Sequence, residues 1–202
     1  MSTEVDWDRE FERRIGLTTS RDTVRGMLLK GHLEAVRGLA GDEAARQCEA
    51  AAGGGPFTEF FGYPVQSHLR LVQMAMRILE PRYGSRQEVL RRLGQDAVRI
   101  FMASPVGAAT RMLTGNNARL LMNSVPRAFS VALSFGERKV EWTDAKRGCL
   151  KLRREFMPAV LQEALVLALL EGVEAEAPWA RGSQVGDLEV DVEFGWGAGR
   201  LR

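Results

Sequence analysis

Few residues in this chain have side chains suited to chemistry, so each can be weighed singly. There are two histidines, His32 and His68, and two cysteines, Cys48 and Cys149. Neither histidine has a second His, Cys or carboxylate at metal-ligand spacing. A zinc site needs three or four convergent ligands, so the spacing predicts hydrogen-bonded, helix-borne histidines and no metal site. Haem iron needs only one axial imidazole, and His68 is the candidate for that role. Cys48 lies among acids and alanines, and Cys149 follows Lys146 and Arg147 at a strand start. Both read as inert thiols. Two distant cysteines form no disulfide framework, which predicts a reducing, cytoplasmic setting.

No G-x-S-x-G, no P-loop and no complete G-x-G-x-x-G occurs. An enzyme would have to assemble its site from distant residues such as Tyr63, His68, Arg70 and Cys149, and it stands as an alternative. Methionines are a second resource: Met74, Met76, Met102, Met112 and Met122 accompany Phe57, Phe60, Phe61 and Phe101. Met fills irregular space and suits adaptable pockets. The candidate ligand-binding set is Phe60, Phe61, Tyr63, His68, Met74, Phe101, Met112 and Leu165, lining an apolar cavity between helices and sheet. A plain core explains the same residues. Arg86, Arg91, Arg92 and Arg99 read as a solvated helix face, and Tyr83-Gly84-Ser85-Arg86 as a turn and helix cap.

The elements that position these residues follow from periodicity. Residues 1–21 form a polar arm, and residues 22–202 a single α+β domain: a helical lobe over 22–125, then a sheet over 126–197 with one inserted helix. Asp22 caps a helix from Thr23 to Leu39, and a second covers Asp42–Ala52. Val65–Leu79 is a strong amphipathic helix, and Ser85-Arg86-Gln87-Glu88 has capping-box spacing before the next. Val106–Leu113 and Asn117–Asn123 are two short helices. From Pro126 the period changes to 2. Strands are predicted at Phe129–Phe135, around Val140–Trp142, around Leu150–Leu152, at Val173–Ala177 and at Leu188–Trp196, with a polar loop at Pro178–Gly186. Pro158–Gly172 is apolar nearly all round and reads as a buried helix. The fold class is thus α+β: a helical lobe on an antiparallel sheet of four to five strands. The acidic outer face of Glu189, Asp191 and Glu193 should match basic Lys151 and Arg153 if those strands pair.

Composition bounds the function. The chain has 202 residues, 45% of them hydrophobic, and a net charge of +2 from 28 basic and 26 acidic side chains. That balance argues against general nucleic-acid binding. The charged start, MSTEVDWDREFERR, lacks the apolar core of a signal peptide. No apolar stretch approaches the roughly 20 residues of a membrane span.

Several stretches taken together resemble a paralogous family of this length, largely restricted to myxobacteria and known as a domain of unknown function. They are Asp22–Leu39, Gly62-Tyr63-Pro64, Gln87–Gly94, Ser104-Pro105-Val106-Gly107, Leu120–Pro126, Phe135-Gly136-Glu137-Arg138 and Phe194-Gly195-Trp196. The layout of helices, antiparallel strands, inserted helix and last strand is also similar to the haem nitric-oxide/oxygen-binding domain and its small-molecule-binding relatives. That domain uses a Y-x-S-x-R clamp and a proximal histidine. Here Tyr83-Gly84-Ser85-Arg86 is one residue short, and no histidine follows His68. The resulting expectation is a non-enzymatic cytoplasmic sensor or adaptor without a cofactor, for a small apolar ligand or a protein partner, with a homodimer left open. A haem or gas sensor through His68 is the alternative.

Overall fold

The computed structural model describes residues 5–197. The chain divides into two compact units. One comprises residues up to Leu90 with Ala132–Ser134; the other comprises Arg91–Val131 and the residues from Phe135 on.

The first unit opens with helix α1 (Trp7–Gly16). Asp6 Oδ1 accepts from Arg9 N at 3.1 Å and caps it. Trp7, Phe11 and Ile15 recur every four residues and form one face, on which Phe11 has no solvent exposure. Asp8 on the same helix holds Arg77 of α3 (Val65–Tyr83) at 2.8 Å and Arg86 at 2.7 Å. Within the expected polar arm, α1 is a docked helix, because an aromatic at its centre is buried and the Asp8 carboxylate is doubly paired. The helix expected from Thr23 begins later. Strand β1 (Thr23–Arg25) pairs antiparallel with β2 (Gly62–Pro64), and α2 (Gly26–Ala51) follows. α2 covers both helices expected there, with a break at Gly41, whose φ of 86° an L side chain rarely adopts. Gly26 lets two backbones meet: a Cβ would fall 2.1 Å from the Thr58 carbonyl oxygen. α2 and α3 pack on each other. α3 passes through Pro81 and ends at Gly84 with φ 82°.

The second unit contains a four-stranded antiparallel sheet in the order β3-β4-β6-β5: β3 (Glu137–Trp142), β4 (Arg147–Arg153), β5 (Trp179–Gly186) and β6 (Glu189–Gly195). Leu150 and Leu152 stand opposite Val192 and Val190 and bury one face. On the other face Lys151 opposes Asp191 and Arg153 opposes Glu189, with Arg153 Nη1 2.7 Å from Asp191 Oδ1. That charge matching was expected from the alternation in both strands. Helix α7 (Ala159–Gly172) lies on β5 and β6. Its other neighbour is α4 (Arg86–Ala103), whose Gly94 comes so close that a Cβ would sit 2.6 Å from the Leu161 carbonyl oxygen. Val98 and Met102 of α4 join Leu121, Met122 and Val125 of α6 (Ala118–Ala132) in the core with Val166, Leu170 and Phe194.

Three further expectations change. Phe129–Phe135 is not a strand: α6 runs to Ala132. Ala118, Leu121, Met122, Val125 and Phe129 continue one helical stripe, whereas Val131, which a strand would have buried beside Phe129, is exposed. Val173–Ala177 is a turn. The expected loop over Pro178–Gly186 is instead strand β5, an edge strand held by its ladder to β6 without an alternating pattern of its own.

Candidate functional site

Both histidines face the interior of the first unit. Leu29, His32, Leu33 and Val36 share a buried stripe of α2, and His68 lies with Leu69, Leu71 and Val72 early in α3. Packing α2 against α3 brings the two rings together. Their centroids are 4.8 Å apart in an edge arrangement, and His68 Nε2 is 3.1 Å from His32 Nδ1. His32 Nδ1 is also 3.0 Å from the Leu28 carbonyl oxygen, one helical turn back. A carbonyl can only accept, so His32 carries its proton on Nδ1 and shares it between Leu28 O and the Nε2 lone pair of His68. His68 is then the Nδ1–H tautomer. Burial, and secondarily the neighbouring imidazole, hold the His68 pKa well below its ordinary value of 6.5, so the His68 ring is neutral. Such a pair can orient a proton or offer a fixed dipole.

The geometry tests haem directly. An axial imidazole must present a lone pair to an open coordination position, and the Nε2 lone pair of His68 faces a second ring inside a buried core. Tyr83–Arg86 does not act as a clamp either. Gly84 ends α3, Ser85 Oγ accepts from Glu88 N at 3.2 Å to cap α4, and Arg86 is held by Asp8 and Glu80. These residues do not fit a histidine-ligated haem. Among the described residues there is also no group of three His, Cys, Asp or Glu able to hold a metal ion.

The other expected site residues fall on both units. In the first unit, Phe60 and Phe61 are 71% and 65% exposed. They sit on a turn pinned by Tyr63, whose hydroxyl accepts from Thr58 N at 2.8 Å, and by the bonds Gly26 N to Phe61 O and Met27 N to Glu59 O. Met74 is half-buried on α3. In the second unit, Phe101 and Leu165 pack partly buried against the core, and Met112 is 88% exposed. The residues named for an assembled enzyme site are placed as follows. The Tyr63 hydroxyl is taken by Thr58, Arg70 is exposed while His68 is buried, and Cys149 belongs to the other unit. Burial, then Asp191, pushes the Cys149 thiol up to about 11, and burial pushes Cys48 to about 12.

Two features escaped sequence reasoning. The histidine pair was hidden because its members are 36 residues apart and were weighed one at a time. The available signal was that each lies on the apolar stripe of a neighbouring helix. The second feature is a buried ion pair in the second unit. Arg138 Nη2 donates to Glu155 Oε2 at 3.1 Å, with both side chains under 5% exposed. The Arg138 guanidinium lies near the rings of Phe129 and Phe135.

Comparison with known proteins fixes the fold. The H-NOX protein of S. oneidensis in its Fe(II)NO ligation state matches with a TM-score of 0.69 at 9% identity, over 86% of this chain and 99% of that one. The unliganded Fe(II) H-NOX protein of K. algicida matches at 0.66 and 13% identity, over 88% and 99%. An oxygen-binding H-NOX domain related to soluble guanylate cyclases, in its oxygen complex, matches at 0.61 and 12%, over 85% and 94%. No curated protein matches the chain. A family described as "Protein of unknown function (DUF2378)" matches residues 17–197, nearly the whole chain, and the protein, with its H-NOX-like α+β fold, belongs to that family.

Proposed function

We propose that this chain is a non-enzymatic sensor domain which takes a small ligand without haem on His68. The observation that carries this reading is the contact between His68 Nε2 and His32 Nδ1 in the buried interior of an H-NOX-like fold. The fold likeness supports sensing, since similar proteins are described in NO-ligated and oxygen-bound states. The engaged histidine argues that the ligand is met differently here. Tyr63, His68 and Met74 of the first unit are the ligand-facing candidates in it, with the neutral His68 ring as the polar contact. Phe101 and Leu165 are the candidates in the second unit. Exposed Phe60 and Phe61 suit contact with a partner instead. No helix among the described residues is long and apolar enough to cross a membrane.

Native mass spectrometry of the protein purified from its own host tests the reading. The expected result is a non-covalent adduct of small mass that is lost on mild activation. Adduct-free protein, or an adduct with the mass of iron porphyrin, would overturn it. The second reading, a haem sensor, is favoured by the fold likeness alone and requires His68 to leave His32.

A further inference from the structure

We propose that the surface formed by helix α5 (Pro105–Thr114) and the outer stripe of α6 docks on an anionic phospholipid surface. The first observation is in the sequence. From Ala97 to Gly136, 40 residues contain four arginines, Arg99, Arg111, Arg119 and Arg127, and no aspartate or glutamate. The chain has 26 acids in 202 residues, so about five would be expected in a stretch of that length.

The second observation is where the fold leaves this stretch. Five large hydrophobic residues of these two consecutive helices stay exposed: Val106 at 39%, Met112 at 88%, Leu113 at 83%, Leu120 at 49% and Val131 at 53%. α5 buries only Gly107 and Thr114. It is nevertheless firmly seated. Ser104 Oγ accepts from Gly107 N at 3.1 Å and donates to the Phe101 carbonyl at 2.6 Å, and Pro105 opens the helix. Gly107 lies so near Phe101 that a Cβ would come within 2.0 Å of its carbonyl oxygen. α5 thus presents Val106, Met112 and Leu113 on a fixed support. On α6, Ala118, Leu121, Met122 and Val125 are buried, while Leu120, Arg127 and Val131 recur at helical spacing on the opposite, exposed side.

Charge selects the occupant. Among the described residues, Arg111 and Arg127 make no ion pair; Arg111 reaches only the Met102 carbonyl, at 3.5 Å. A second copy docked face to face would set arginine against arginine. The outermost side chains, Met112 and Leu113, are flexible and aliphatic, suited to entering acyl chains rather than stacking on bases. Arginines beside exposed apolar side chains, with no carboxylate between, are the composition of an interfacial helix on anionic lipid.

The test is co-sedimentation of the full chain with vesicles of phosphatidylcholine alone or mixed with phosphatidylglycerol. Binding is expected to the mixed vesicles, weakened by salt and at least about tenfold tighter than to phosphatidylcholine. Met112→Ser with Leu113→Ser should weaken it about tenfold or more. Arg111→Gln with Arg127→Gln should weaken it about 25-fold and flatten the salt dependence, from about fivefold per arginine. All four side chains are exposed, so the melting temperature should not change; Met112→Gln alone replaces the double serine variant if it does. Equal binding to both vesicle types, no binding, or variants that bind like the parent would overturn the proposal. Self-association that vanishes in the serine variant, with no vesicle binding, would assign the surface to a second copy and also overturn it.

Discussion

Lowering pH should destabilise this protein before its carboxylates titrate, and His68 is the cause. Folded, the imidazole is buried beside His32 and its pKa lies well below 6.5; unfolded, it titrates at its ordinary value. Below pH 6.5 the unfolded chain therefore binds one more proton than the folded chain, and stability rises with pH across that window. His68's contribution is complete above 6.5 and is lost as pH falls toward the folded pKa. The slope approaches about 1.4 kcal/mol per pH unit, so about 1.4 kcal/mol should vanish between about pH 7.5 and about pH 5.5. The paired carboxylates do not overlap this window. Asp8 is lowered chiefly by Arg86, and Glu10 chiefly by Arg13. Their stabilisation is present above their ordinary values of 3.8 and 4.5 and is lost only below them. Urea denaturation reads the effect: with a slope near 2 kcal/mol/M, the midpoint should fall by about 0.7 M. His68→Leu fills similar space without a titrating ring and should flatten the curve. A parent midpoint that stays constant over this range would refute the buried, neutral His68 ring.

Two further substitutions probe the packing. Phe11→Ala should cost about 3–5 kcal/mol in denaturant unfolding, the range for a fully buried aromatic, whereas a loosely attached arm would tolerate it with little change. Arg138→Ala should cost about 3–5 kcal/mol by leaving Glu155 charged and buried. Replacing both partners, Arg138→Met with Glu155→Leu, should recover most of that loss, as double-mutant unfolding curves would show.

What was legible in the sequence divides along physical lines. The two central strands were legible because each alternates cleanly. Leu150 and Leu152 against Lys151 and Arg153, and Val190 and Val192 against Glu189 and Asp191, specify both the buried face and the pairing. α7 was legible from the apolar run Ala164–Leu170 and the apolar residues around it between Pro158 and Gly172. The edge strand β5 was not, because its stability comes from backbone bonds to β6 and its side chains need no pattern. Phe129–Phe135 misled because its alternation begins inside α6, which partly buries Phe129 and exposes Val131. The site was the least legible part. His32 and His68 meet only because α2 packs on α3, a contact that neither helix encodes alone.

The central claim is that His68 is engaged by His32 inside an H-NOX-like fold and is not a haem ligand. Haem titration of the purified chain, followed by absorption spectroscopy of the parent and of His68→Ala, tests it most directly. The account predicts no stoichiometric Soret band that depends on His68: the two proteins should give the same spectrum. A sharp band saturating at one haem per chain in the parent, and absent in His68→Ala, would contradict it.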